Sequence, residues 1–409
     1  MTALDAPWYR LRAIGVTGTK GKTSTASMIH AALAATGAPI GLVTTLGAQL
    51  GDRAVPGGFA AAVAQAAAAG VDAVVVEVVS LALATGFAAR YRFDVAVFTN
   101  LLDDHHELHP TPAAYLDAKA ALFATLRPGG VAVVPVDDPV AAELARRLPA
   151  DARVAGYATG PTAAACAGLP VTLAARRIVT SRTGTTVELA DGPLAAALGG
   201  ALHLGTVGDV NAANALAAAV AADAAGVAAP AIAGGLARFA GVAGRLQAVA
   251  LAPWVLVDYA HIPDALARVL ATVRATVDGE GRGGRVTCVL GCGGERSFER
   301  RAGLGQVAAR HADRVIVTSD NPRRESPAAI AAAIERGFVD APPGRRLERE
   351  LDRGQAIARA IAGAGPADAV VIAGNGHERT QEVGQVLAPW SDVDAARAAL
   401  ARVQAGGAA

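Results

Sequence analysis

The chain has 409 residues, more than one hydrophobic core comfortably serves, so two domains are expected. Lys+Arg (37) and Asp+Glu (36) nearly cancel, which gives no reason to expect nucleic acid or a membrane surface as a partner. The apolar runs break at Gly, Pro or charge before spanning length, apart from alanine-rich helical stretches. MTALDAPWYRLRAIG lacks a signal-peptide layout, and the sparse cysteines Cys166, Cys288 and Cys292 form no disulfide framework, so a cytoplasmic protein is expected.

In chain order, short Val/Ile-rich runs alternate with longer alanine-rich stretches, the signature of a mostly parallel sheet covered by helices. Strands are expected at Ala13–Val16, Ala73–Glu77, Val95–Thr99, Val131–Pro135, Trp254–Asp258, Val286–Leu290, Arg314–Thr318 and Ala369–Ile372. Helices are expected at Thr23–Thr36, Ala60–Ala69, Pro112–Leu126, Pro139–Leu148, Ala212–Ala225, Pro263–Thr276, Arg300–His311, Pro327–Phe338 and Gly354–Gly363, with a hairpin in Thr172–Leu189. A helical pattern ends near GVAGRLQAV (Gly241–Val249) and a new strand–helix series starts at WVLVDYAH, which divides the chain into domains 1–243 and 244–409.

The stretch GVTGTKGKTST (Gly15–Thr25) lies between the first strand and the first helix. Gly15, Gly18 and Gly21 let successive backbone N–H groups face an anion, Lys22 adds a point charge and Thr23 a hydroxyl for Mg²⁺, while the helix adds its positive end. The usual Walker spacing would put its first glycine at Val16. The match is to the variant G-T-x-G-K-T, Gly18-Thr19-Lys20-Gly21-Lys22-Thr23, followed by Ser24, and it predicts binding of a nucleoside triphosphate.

Other residues admit both bland and chemical readings. Glu77 ends an apolar strand, either as a solvated charge or as a carboxylate that meets a cation. The cluster Asp103-Asp104-His105-His106-Glu107-Leu108-His109 is either a solvated loop or a source of metal ligands. Lys119, mid-helix, reads alone as a surface lysine. Asn211 and Asn214 either cap a helix or bind a ligand. Asp258, Tyr259 and His261 stand at a strand's C-terminal end, where α/β folds bind ligands. Asp320-Asn321-Pro322-Arg323 is a proline turn whose arginine fork could hold a carboxylate.

The loop variant resembles that of the Mur ligases and their folylpolyglutamate synthetase relatives. Ten further segments follow in the order of the MurE type: VVEVVSLAL (Val75–Leu83), FDVAVFTNLLDDHHELH (Phe93–His109), AYLDAKAALF (Ala114–Phe123), VDDP (Val136–Pro139), NAANALAA (Asn211–Ala218), VAGRLQAV (Val242–Val249), VDYAHIPDAL (Val257–Leu266), GCGGERSFERR (Gly291–Arg301), SDNPRRESP (Ser319–Pro327) and AGNGHE (Ala373–Glu378). The resemblance implies a P-loop-type central ATPase domain followed by a Rossmann-like α/β domain. It implies ATP-dependent amide formation through an acyl phosphate, with ATP between the domains and two Mg²⁺ ions. Lys22, Glu77, His105 and Lys119 are then the catalytic residues, and Thr23, Glu77, His105 and a carbamylated Lys119 the metal-holding ones. It further implies that Asn211, Asn214, Arg245, Asp258, Tyr259 and His261 meet the nucleotide along with the loop. Arg296, Asp320, Asn321, Arg323, Gly374 and Glu378 would meet a diaminopimelate-like amino acid.

The chain also departs from that pattern. G-K-G-H-E has become Gly374-Asn375-Gly376-His377-Glu378, and G-D-R-D has become Gly294-Glu295-Arg296-Ser297. E-V-S-S-H has become Glu77-Val78-Val79-Ser80-Leu81, and no T-T-P segment occurs between Gly47 and Ala60. Full-length MurE-type ligases carry a UDP-binding domain ahead of the loop, for which the residues before Gly15 are too few. The leading expectation is therefore a ligase for a smaller or carrier-free acid. The rivals are a peptidoglycan-precursor ligase with a separate UDP-binding chain and a non-catalytic ATP-binding subunit. Expected partners are small-molecule acid and amino-acid substrates, with a homodimer or a substrate-carrying chain left open.

Overall fold

The computed structural model describes residues 8, 11–57, 59–86, 88–102, 108–160, 168–295 and 298–406. Two compact units result: Met1–Val179 with Gly184–Ala240, and Thr180–Thr183 with Gly241–Ala409.

The first unit holds β1 (Arg12–Thr17), β2 (Ile40–Thr44), β3 (Gly47–Leu50), β4 (Arg53–Val55), β5 (Ala73–Glu77), β6 (Phe93–Phe98), β7 (Leu126–Pro135), β8 (Arg153–Ala158), β9 (Val171–Ser181), β10 (Gly184–Leu189) and β11 (Ala201–Leu204). They lie in the order β11-β10-β9-β8-β7-β6-β1-β5-β2-β3-β4. From β9 to β2 each neighbouring pair is parallel, whereas β2–β3, β3–β4 and β10–β11 are antiparallel. The central strands are apolar on both faces because both faces are covered. Ile14, Val16 and Val75 meet the helices Lys22–Ala34 and Asp209–Ala224 on one side. Ala13, Val74 and Val76 meet Phe59–Ala68 and Pro112–Ala120 on the other.

The second unit holds β12 (Gln247–Leu251), β13 (Trp254–Asp258), β14 (Val286–Leu290), β15 (Arg314–Val317), β16 (Arg346–Arg349) and β17 (Ala369–Ala373), in the order β12-β13-β17-β14-β15-β16. Only the edge strand β12 runs antiparallel to its neighbour. A separate hairpin pairs β18 (Thr380–Val383) with β19 (Val386–Pro389). Because β13, β17, β14 and β15 are parallel, the loops that follow them gather at one edge of the sheet. Both units are thus the mostly parallel α/β architecture that the alternating sequence implies.

Several expected elements differ in detail. The helix expected over Pro112–Leu126 ends at Ala120 and gives way to a 3-10 turn, Phe123–Thr125, before β7 starts at Leu126. The one expected over Pro139–Leu148 shrinks to Ala141–Ala145. The segment from Gly47 to Ala60, without a counterpart motif in the sequence reading, forms β3, β4 and the start of a helix. Among the described residues no helix is long and apolar enough to cross a membrane.

Candidate active site

In the first unit the site is built on the turn from β1 into the helix Lys22–Ala34. That helix has no capping side chain and no acid in its first turn, so its leading N–H groups are left to an anion. Gly21 sits at φ 83°, and a Cβ there would come within 2.4 Å of Asn214 Oδ1, so only glycine fits the approach of the helix Asp209–Ala224. The loop is fastened from β6's end. Thr19 N donates to Asn100 O at 2.9 Å, Lys20 N to Asn100 Oδ1 at 3.0 Å, and Thr99 Oγ1 to Lys20 O at 2.7 Å. Lys22 Nζ reaches back to Thr19 O at 3.0 Å. Ser24 is buried in the first turn.

Glu77, the last residue of β5, meets the loop directly. Its Oε2 accepts from Thr23 Oγ1 at 2.9 Å and from the backbone N and Oγ1 of Thr45, both at 3.1 Å. A hydroxyl and a carboxylate at the head of a phosphate loop are hard oxygen donors. They suit Mg²⁺, which takes one or two carboxylates together with phosphate oxygens and water. Lys119 is 1 % exposed, against its surface-lysine reading. Its Nζ donates to Gly18 O at 2.7 Å and lies 4.0 Å from the centre of the Tyr115 ring, which His109 stacks upon.

The capping alternative for the two asparagines fails, because the helix begins at Asp209 behind Gly208 and both lie inside it. Asn214 accepts from Thr25 Oγ1 at 3.2 Å beside the loop, whereas Asn211 Nδ2 is turned to Val207 O at 2.9 Å. Asp103, Asp104, His105, His106, Glu107 and Arg296 lie outside the described residues.

The second unit gathers its own cluster at the strand ends. Asp258 is a backbone clamp: Oδ2 accepts from Leu246 N at 2.6 Å and Oδ1 from Ala260 N at 2.8 Å. Arg245 lies over the Tyr259 ring at 4.6 Å, and that ring meets His261 and His377 at 4.7 and 4.6 Å. His261 Nδ1 is 2.8 Å from Tyr259 O. Glu378 accepts from Tyr259 OH at 3.2 Å, Asn321 Nδ2 at 2.7 Å and Asn375 Nδ2 at 3.3 Å, all neutral donors. Arg323 donates Nη1 to Gly294 O at 2.6 Å and Nε to Glu382 Oε2 at 3.0 Å.

Asp320 lies against Gly374, whose φ of 115° and 2.3 Å from a hypothetical Cβ to Asp320 Oδ2 admit no side chain. Burial pushes the Asp320 carboxyl up to about 6 against the pull of Arg353, with Asp392 and Glu378 adding to the rise. Burial, with Glu378 beside it, likewise pushes the Tyr259 phenol up to about 12. Behind the cluster, Arg353 forms a buried two-point pair with Asp392, 2.7 Å on each arm, and donates to Ala373 O at 3.0 Å.

Sequence reasoning did not single out Thr45, Thr99, Asn100, Arg353 or Glu382. Thr99 and Asn100 carried a readable signal, since they stand at the end of the strand expected at Val95–Thr99, where the ligand loops of such a sheet begin. Thr45 sits in a turn and Glu382 in a short, partly buried hairpin strand, neither with a sequence pattern of its own.

A strand, an uncapped glycine loop, a Lys-Thr helix start and a carboxylate facing that threonine define an α/β enzyme that handles a nucleoside triphosphate. Comparison with known proteins then specifies which kind. Residues 16–222 match the Mur ligase middle domain, and residues 244–376 match the Mur ligase, glutamate ligase domain. The chain is 40% identical over 414 residues to the UDP-N-acetylmuramoyl-L-alanyl-D-glutamate--2,6-diaminopimelate ligase of Acidovorax sp. (strain JS42), covering 97% of this chain and 79% of that one. It is 41% identical over 407 residues to the ligase of the same name from Xanthomonas campestris pv. campestris (strain 8004), covering 97% and 78%. A solved structure of a ligase of that name aligns with TM-score 0.68 and 31% identity over 96% of this chain and 79% of that one. The Mycobacterium tuberculosis folylpolyglutamate synthase complexed with ADP and AMPPCP shares the fold, with TM-score 0.67, 22% identity and 91% of both chains covered. The chain belongs to the Mur ligase family, whose members are ATP-dependent, ADP-forming amide ligases that use Mg²⁺.

Proposed function

We propose that this chain joins a diaminopimelate-like amino acid to a carboxylic acid through an acyl phosphate. The observation that carries the reading is the Thr23–Glu77 contact of 2.9 Å at the head of the glycine loop. A carboxylate oxygen of the acid attacks the γ-phosphorus of ATP and ADP departs. The amine nitrogen then attacks the acyl carbon, phosphate leaves, and the ammonium proton passes to solvent. Mg²⁺, held by Thr23 and Glu77 with His105 at a second site, would neutralise charge on the phosphates. Lys22 and the helix N-terminus orient the triphosphate. Arg245, Tyr259 and His261 offer stacking and donor groups to the nucleoside, with Asp258 fixing the backbone that carries them.

Lys119 is read as the carbamylated lysine of the family, which would exchange a buried cation beside Gly18 for an anion. On the amine side, the side-chain donors to Glu378 among the described residues are neutral, which suits an incoming ammonium, while Arg323 offers a guanidinium to a distal carboxylate. Asp320, Asn321, Gly374 and Arg296 complete that candidate subsite. The relatives' names give the acid as UDP-N-acetylmuramoyl-L-alanyl-D-glutamate, which favours the peptidoglycan-precursor reading over the smaller, carrier-free acid that led the expectations from sequence. Omission assays test the reading: ADP release should require an acid, an amine and Mg²⁺ together. Equal release without any amine would contradict it.

A further inference from the structure

The turn that carries Asn321 and Arg323 is held from outside itself, by the first strand of the hairpin β18–β19. Asn321 at φ 42° and Arg323 at φ 53° both occupy the left-handed region, which a side chain rarely adopts and which persists only where the surroundings fix it. Glu382 of β18 supplies most of that fixing, through three of its groups. Its N–H donates to Asn321 Oδ1 at 2.7 Å, its C=O accepts from Arg323 N at 3.1 Å, and its Oε2 accepts from Arg323 Nε at 3.0 Å. Gly384 N adds a bond of 2.7 Å to Arg323 O, which closes a parallel bridge between Arg323 and Val383. The two side chains of the turn depend on Glu382 in different ways. Because Asn321 Oδ1 takes the N–H of Glu382, its amide faces Glu378 with Nδ2, which donates to Oε2 at 2.7 Å. That link needs only the backbone of Glu382. The guanidinium of Arg323 needs its carboxylate: Glu382 holds Nε, Gly294 O holds Nη1 at 2.6 Å, and Nη2 meets no acceptor among the described residues. The Arg323 side chain remains 20% exposed, open to a small molecule.

We propose that Glu382 is a positioning residue for the amine: its carboxylate aims the Arg323 guanidinium so that Nη2 meets a distal carboxylate. It thereby sets the preference for an amino acid that has such a group over one that lacks it. The proposal rests on the amine-side reading above, in which Arg323 takes that carboxylate. A guanidinium anchored at two of its three nitrogens keeps one orientation, and the third nitrogen is the one left to an incoming anion. Fixing a long arginine side chain costs rotamer freedom. With Glu382 in place that ordering is completed on folding, so binding of the amino acid does not have to supply it. Glu382 itself touches no reacting atom, and its own charge lies on the Nε side, away from the nitrogen offered to the substrate.

The experiment supplies ATP, Mg²⁺ and UDP-N-acetylmuramoyl-L-alanyl-D-glutamate to the full chain. It compares diaminopimelate with L-lysine, which lacks the distal carboxylate, by following ADP release and product mass. Glu382→Ala removes the anchor on Nε and leaves the backbone bonds to Asn321 and Arg323 in place. The expected result is a KM for diaminopimelate raised about tenfold or more, with kcat and the KM values for lysine and ATP within about threefold of wild type. Glu382→Gln, which keeps an oxygen for Nε, should recover most of that loss. A role confined to holding the hairpin together would instead weaken both amines alike. An equal loss for the two amines, or a preference for diaminopimelate in Glu382→Ala that matches wild type, overturns the proposal and leaves the amine-side reading standing. A wild-type enzyme with no preference for diaminopimelate over lysine overturns both.

Discussion

Replacing Glu77 by glutamine keeps the side chain's shape and one carbonyl oxygen but removes its charge. In the structure one carboxylate oxygen accepts three hydrogen bonds, from Thr23 Oγ1 and from the N and Oγ1 of Thr45. Charge-assisted bonds exceed neutral ones by about 1 kcal/mol each, and the partly solvated position of Glu77 discounts that sum, so folding stability should change by no more than about 2 kcal/mol. The metal should feel far more. One unit of negative charge removed from beside a divalent cation near a protein surface costs on the order of 2–4 kcal/mol, equivalent to a rise of about thirtyfold to about a thousandfold in the Mg²⁺ needed. The assay is the initial rate of ADP release against free Mg²⁺ at fixed ATP, with thermal unfolding as the control for folding. A Glu77→Gln enzyme whose half-saturating Mg²⁺ stays within about threefold of wild type would refute the assignment.

Lys119→Ala should lose turnover by about a hundredfold or more, with partial rescue by short carboxylates if a carbamate is the working form. Absence of rescue would point to the amine itself. Asp320→Asn tests the raised carboxyl. Because its folded value, about 6, exceeds the ordinary 3.8, the folded state holds that proton more tightly, and stability falls as the pH rises between those values. Wild type should therefore lose up to about 3 kcal/mol relative to Asp320→Asn between pH 4 and pH 8, and a pH-independent difference in urea unfolding would contradict this. Arg353→Met strands the fully buried Asp392 and should destabilise the chain by about 3–5 kcal/mol, measured in the same way.

What the sequence reveals divides along physical lines. β5, β13 and β14 are legible to the residue because strands buried on both faces are continuous apolar runs with abrupt ends. β3, β4, β16, β18 and β19 are short and few of their residues are buried, so they carry little burial pattern and tertiary pairing defines them. The glycine loop is legible because its backbone geometry demands glycines at particular spacings. Lys119 is the opposite case. Tyr115, one turn earlier in the same helix, covers one side of its ammonium, and only the approach of Gly18 from elsewhere in the chain shows that it is enclosed. The Asn321–Glu378 and Tyr259–Glu378 contacts are equally invisible in one dimension, since they join loops that meet only because β13, β17 and β15 are parallel.

The central claim is that the chain activates a carboxylate by phosphorylation before the amine attacks. Supplying an acid substrate labelled with ¹⁸O in its carboxyl group, and reading the isotope in the phosphate released, tests that most directly. An acyl phosphate predicts one labelled oxygen carried into inorganic phosphate for each amide formed. Amide formation with ADP release but unlabelled phosphate would contradict the account.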